Sequence, residues 1–385
     1  MNFSFHDGET KMEWKLIDRL YLTKISTWKL IALSYLVKVS VMILIIQTYL
    51  TYYTFPHWYP YKSMALAVMY DYVYEFYPII ARVQTEGPIV YEYEPGFFSV
   101  LLYLFSFFVK DVAQFCYVFG TVQLLFDFGV IFYLNKIIDF LGLKIKRRIV
   151  LIYAFAPTVL VFGFARFDLI PVFFLVAAIY YYLMKSDFSA GILLALGMSF
   201  KWFPIAFLIA ILSLRTTEKT RLIRIVVSSF GPFLILHLLL FFFFSEHIFD
   251  PFVFYVRFSN MPFPDSLIGL FLVWFPSFSN TSSMSLLLRI PFVVLLLMSS
   301  LWILFKGLRN PIFRTLSLII CFILLNGYIY SPQWHIWFLP LLALDERTDK
   351  KAIFSLEIIN IFVYPILFML ALNTTGFSNV TIYDY

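Results

Sequence analysis

Charge is what this chain has least of. Only 14% of its 385 residues are Asp, Glu, Lys or Arg, against about 25% in a typical soluble domain. The balance is 62% hydrophobic and 21% aromatic, with a mean hydropathy of +0.85. Such a composition excludes a water-soluble enzyme, a disordered chain and a compact nucleic-acid binder. Cysteine is nearly missing. Cys116 and Cys321 both lie in apolar runs, so neither a disulfide framework nor a cysteine metal cluster is readable. A Gly-rich phosphate loop, a Ser nucleophile elbow and His/Cys spacing for zinc are all lacking, as are low-complexity stretches and internal repeats. Without a nucleotide motif, any group transferred or energy used must arrive on a carrier other than a bound nucleotide.

Apolar runs are what the chain has instead. No cleavable signal peptide is read at its start: residues 1–29 are polar and mildly amphipathic, and the first run, 30–50, is long enough to span a bilayer. Further runs lie at about 96–109, 112–135, 149–164, 167–184, 188–214, 222–244, 266–276, 286–305, 312–330, 334–344 and 352–372. Together they predict one all-α, polytopic bundle of roughly ten or more membrane helices. Runs 96–109, 266–276 and 334–344 are short for a crossing, and run 188–214 is interrupted by Lys201-Trp202-Phe203-Pro204.

The formal net charge of +6 and the pI near 9.0 reflect where Lys and Arg collect. They crowd the loops 136–148 and 215–224 and mark two more around 306–314 and 350–351. Such loops face the cytoplasm, together with the N-terminus. Segment 51–95 is acidic, with Asp71, Glu75, Glu86, Glu92 and Glu94 against only Lys62 and Arg82, and is expected outside. Segments 245–265 and 277–285 also lack basic clusters. The resulting division is a cytoplasmic segment 1–29, a transmembrane domain 30–372 with a large first extracytoplasmic loop 51–95, and an extracytoplasmic tail 373–385. Helix parity closes only if 96–109 does not cross and 188–214 folds as two half-helices with Lys201–Pro204 at the outer apex. Pro204 supplies the break, and non-helical backbone at that depth implies an outward-facing polar cavity.

Charges inside apolar runs are functional hypotheses by default, because the bilayer makes them costly. Lys38 has no evident partner in the sequence and is as open to a structural role as to a functional one. Asp127 is expected to hydrogen-bond within the bundle. Lys201 sits where a span breaks, among aromatics. Arg166 and Asp168 fall at the outer end of a span, where they either pair with each other as an interface anchor or serve a site. If Lys201, Arg166 and Arg257 converge, they form a cationic pocket suited to a phosphate at the membrane surface. In the outer loop, Asp71 and Glu75 share a face if the stretch is helical. Carboxylates interleaved with tyrosines suit carbohydrate, since rings stack on sugar C–H faces and acids accept hydroxyl protons. An interfacial aromatic belt is the plainer reading of the same residues. His335, in Ser331-Pro332-Gln333-Trp334-His335, is by base expectation a hydrogen-bonded structural residue.

In this order the motifs resemble the GT-C superfamily of polytopic glycosyltransferases, over roughly residues 30–372. The likeness is greatest to mannosyltransferases of the PIG-M type and to prokaryotic polyprenol-phosphate-mannose enzymes. Asp71 with Gly87 and Tyr91-Glu92-Tyr93-Glu94-Pro95 is similar to that family's first-loop segment. Arg166-Phe167-Asp168, Phe200-Lys201-Trp202-Phe203-Pro204, Ser331-Pro332-Gln333-Trp334 and Trp337-Phe338-Leu339-Pro340 resemble its later elements. The resemblance implies a GT-C-like bundle and an inverting glycosyltransferase that takes its sugar from a polyprenyl or dolichyl phosphate and gives it to a lipid or glycan acceptor. Asp71 is then the catalytic base. Lys201, Arg257 and Arg166 bind the donor phosphate, and Glu75, Glu92, Glu94, Asp168, Gln333 and His335 contact sugar or acceptor. Some relatives carry Asp-x-Asp in the first loop, whereas Asp71 is followed here by Tyr72-Val73. Dependence on a divalent metal therefore stays open. The rival reading is a transporter or flippase of a lipid-linked or small polar substrate, which the broken span allows and the missing repeat disfavours.

Overall fold

Lipid offers no hydrogen-bond partners, so a chain this apolar must satisfy its backbone within each segment. The computed structural model describes residues 26–54, 76–87, 96–143, 146–214, 218–244, 294, 298, 311–325, 332–344 and 349–361. Among these every regular element is helical and there is no strand. The protein is an integral-membrane helical bundle.

Helix α1 (Thr27–Thr54) carries the first run, and α2 (Tyr77–Glu86) and α3 (Phe97–Ser106) are short. Helix α4 (Val112–Leu141) has 30 residues and outruns the expected 112–135. Asp111 caps it by accepting the Gln114 N–H at 2.8 Å. At the far end Gly142, at φ +64°, turns left-handed and donates to the carbonyls of Ile138 and Asp139. Lys136 and Asp139 do not stop a helix; the left-handed glycine does. Helices α1 and α4 and the later α10 (Lys219–Phe244) are long and apolar enough to cross a membrane.

Run 149–164 does not form one helix. It divides into α5 (Lys146–Ala154) and α6 (Pro157–Phe162), because Pro157 lacks an N–H and disfavours helical backbone at Ala156. Ala156 accordingly sits at ψ 126°. Run 188–214 is broken as the sequence predicts. Helix α8 (Asp187–Phe200) ends where Lys201 goes extended, at φ −160° and ψ 145°, and α9 (Ile205–Leu212) restarts after Pro204. Helix α7 (Leu169–Leu183) lies between α4 and α8, and α10 packs on the other side of α8. Closeness at that last contact depends on Gly191, where a Cβ would come within 1.8 Å of Ser228 Oγ. Arg221 of α10 holds Asp187 at 2.7 Å and donates to the Tyr182 carbonyl, so one member of the basic 215–224 cluster is a structural clasp. Then come α11 (Pro311–Leu325), a 3-10 turn (Pro332–Trp334), α12 (His335–Leu344) and α13 (Lys350–Ile361).

The two charges stranded in the middle of spans meet each other. Lys38 of α1 donates to Asp127 Oδ2 of α4, and both are buried. The Tyr35 hydroxyl donates to the same oxygen at 2.6 Å and the Tyr153 hydroxyl to Oδ1 at 3.0 Å. Lys38, which has no evident partner in the sequence, is thereby a packing residue with a defined counter-ion.

Candidate active site

The turn 163–168 between α6 and α7 places Asp168 at the N-cap of α7, where the helix dipole favours a carboxylate. The break after α8 delivers Lys201. Their side chains form an ion pair, Lys201 Nζ to Asp168 Oδ1 at 2.9 Å, with both residues buried. Trp337 of α12 donates its indole N–H to the same oxygen. Aromatic rings wall the pair: the Lys201 ammonium lies 4.3 Å from the Phe167 ring centre and 5.2 Å from that of Trp337. Trp337 in turn stacks flat on Phe203, with centroids 4.5 Å apart and planes 6° from parallel, and leans on Trp334. The four motifs that the sequence spreads over residues 166–340 are thus one structure. Its charged centre is Asp168–Lys201.

The sequence leaves Asp168 either to pair with Arg166 or to serve a site; its ion-pair partner is Lys201. Arg166 is buried in the same turn. Arg257, the third member of the expected cationic pocket, lies outside the described residues, as do Asp71, Glu75, Glu92 and Glu94.

Gln333, in the 3-10 turn, and His335, at the start of α12, are both buried. His335 Nδ1 lies 2.8 Å from Glu357 Oε1. The other Glu357 oxygen accepts the Thr158 N–H at 3.3 Å, and Asn360 donates to the Thr158 hydroxyl at 3.0 Å. Glu357 therefore does two things. It fixes the imidazole from α13, and it satisfies a first-turn N–H of α6 that no helix can satisfy internally. Sequence reasoning misses Glu357 entirely; its one visible signal is a lone acid within the apolar run 352–372. Among the described residues no group of three or more His, Cys, Asp and Glu is placed to hold a metal ion.

Aromatic residues within and just after segment 51–95 pack against this site. Phe76 is fully buried and packs on Phe167 at 6.2 Å, while Phe98 stacks on Phe167 at 4.1 Å. Phe97 meets Phe200 edge-on at 5.5 Å. Phe167 and Phe200 are the residues immediately before Asp168 and Lys201, so the aromatic cluster forms the floor beneath the ion pair.

The model of glycosyltransferase family 87 matches residues 91–326, more than half of the chain. The matched region contains Glu92, Glu94, Arg166, Asp168, Lys201 and Arg257, whereas Asp71, Glu75, Gln333 and His335 fall outside it. No curated protein and no solved structure matches the chain.

Proposed function

The chain belongs to glycosyltransferase family 87, a GT-C-type family, and we propose that it is an inverting mannosyltransferase using a polyprenyl-phosphate donor, with its active site on the extracytoplasmic side. One observation carries the site. Phe76, inside the acid-bearing segment, and Phe97 and Phe98, just beyond it, pack on Phe167 and Phe200, the chain neighbours of Asp168 and Lys201. Glu75 adjoins Phe76 in the chain. Asp71 lies five residues before Phe76 and Glu94 three before Phe97, which links the acids of this segment by sequence to the aromatic cluster around Phe167 and Phe200.

In this reading Asp71 removes the proton of an acceptor hydroxyl. The acceptor oxygen bonds to the anomeric carbon while the bond from that carbon to the phosphate oxygen breaks on the opposite face, and polyprenyl phosphate leaves with the bonding pair. The oxocarbenium-like transition state is shared with inverting glycosidases. Lys201, with Arg257 and Arg166, stabilises the charge growing on the phosphate. Asp168 holds the Lys201 ammonium in place until the phosphate shares it. Glu75, Glu92, Glu94, Gln333 and His335 contact sugar or acceptor, and the aromatic floor offers rings for sugar C–H faces.

The test is transfer of radiolabel from polyprenyl-phosphate-mannose, and from the matching glucose and galactose carriers, to a membrane-lipid and glycan acceptor pool. Mannosylated product that falls about 10²–10⁴-fold in Asp71→Asn, the usual size of a general-base contribution, is the expected result. Product from another carrier alone would replace the sugar. Full activity in Asp71→Asn would remove the base. Carrier moved across sealed vesicles without transfer would favour a transporter, which the broken α8–α9 element makes the next reading.

A further inference from the structure

The inner face of α4 bears a polar side chain that neither the candidate active site nor the Lys38–Asp127 pair uses. Gln123 is fully buried, and neither its Nε2 nor its Oε1 has a hydrogen-bond partner among the described residues. Folding does not leave a primary amide dry in apolar surroundings without loss of stability, so such a group points to something bound. Its position is well bracketed. One turn along the helix is Asp127, on the same face. Three residues the other way is Gly120, where a Cβ would come within 2.7 Å of the Met42 sulfur. Met42 and Lys38 belong to α1, so Gln123 lies in the α1–α4 seam between two close contacts. A second wall runs from Phe164, whose Cβ is 3.7 Å from the same point on Gly120, to Tyr153, which donates to Asp127.

The chemistry of the bound group follows from charge and from hydrogen-bonding capacity. Lys38 already balances the Asp127 carboxylate, so the seam calls for a neutral ligand rather than a cation. The amide offers donors and an acceptor, and the carboxylate retains acceptor sites: Oδ1 takes one hydrogen bond, from Tyr153, where an oxygen of this kind accepts two. A group that accepts from the amide and donates to the carboxylate across one helical turn, about 5–6 Å between Cβ atoms, has the size and valence of water. We propose that at least one buried water bridges the Gln123 amide to Asp127, and that the Tyr35–Lys38–Asp127–Tyr153 cluster is therefore a hydrated polar seam fastening the first span to the domain.

Two measurements on the full chain in detergent or nanodiscs decide it. A wild-type map at a resolution that shows ordered water should place density within hydrogen-bonding distance of both the Gln123 amide and the Asp127 carboxylate. A dry seam, or the amide bonded directly to Asp127, would overturn the proposal. Thermal unfolding gives an independent answer. Gln123→Met is close in size and flexible enough to pack well, so a dry amide predicts a higher Tm and a bridged one a lower Tm. The loss should also be less than additive with Asp127→Leu, which removes the acceptor end of the same bridge. A raised Tm, or strictly additive losses, would sink the proposal, and if Gln123→Met does not fold the wild-type map stands as the arbiter.

Discussion

Lys38 and Asp127 stand 89 residues apart in the chain, and each alone is an expensive charge in an apolar helix. Their value lies in being together. Removing one partner of a buried pair costs about 3–5 kcal/mol, because the other charge is left without compensation. Lys38→Met should accordingly lower the Tm steeply, and Lys38→Met with Asp127→Asn should recover part of the loss, since the neutral amide leaves no uncompensated charge and its one oxygen still accepts from a tyrosine hydroxyl. A double variant no better than the single would mean that the pair is not the determinant. At the candidate site the matching experiment is Trp337→Phe. It keeps one ring against Phe203 but removes the N–H given to Asp168, a hydrogen bond to a charged group worth about 1.5–3 kcal/mol, along with part of the indole's packing. Transfer activity should drop at least about tenfold, which is the lower end of that range, with the donor concentration dependence altered, and the Tm should fall as the buried hydrogen bond is lost. An unaltered rate would detach Trp337 from the function of Asp168.

Helix boundaries follow from punctuation that the sequence spells out in part. Pro204 makes the α8–α9 break legible, and Gly142 and Asp111 set the ends of α4 by capping chemistry visible in the residue types. Pro157 was equally visible, but an uninterrupted apolar run on both sides of it masks the division of α5 from α6. The fit between α8 and α10 is of another kind. Nothing in a sequence says which face Gly191 presents, whereas in the fold it sits directly on Ser228 and the Ile225 carbonyl. Gly191→Ala should therefore push the two helices apart and lower the Tm by an amount typical of overpacking, about 1–3 kcal/mol. Adding Ser228→Gly, which removes the nearest atoms, should restore part of it. If Gly191→Ala is as stable as wild type, the close approach is not a constraint.

For the whole molecule the basic loops predict the orientation. In a background with Cys116 and Cys321 replaced by alanine, a cysteine at position 86 should react with an impermeant maleimide added from outside, and one at position 146 only after permeabilisation. The reverse pattern would invert the molecule and move the proposed site to the cytoplasmic face. Composition alone determined that this is a helical membrane protein, since 62% hydrophobic residues in runs of spanning length admit little else. The residue types of the site were equally legible, as unusual charges and aromatics at the ends of apolar runs. Which of them touch was decided only in three dimensions. Asp168 is joined to Lys201 and Trp337, His335 to Glu357, and Lys38 to Asp127. The reason is physical: a helix face declares its own neighbours at three and four residues, but a buried charge takes whichever opposite charge the packing of other helices brings within reach, and that packing is a property of the assembled bundle.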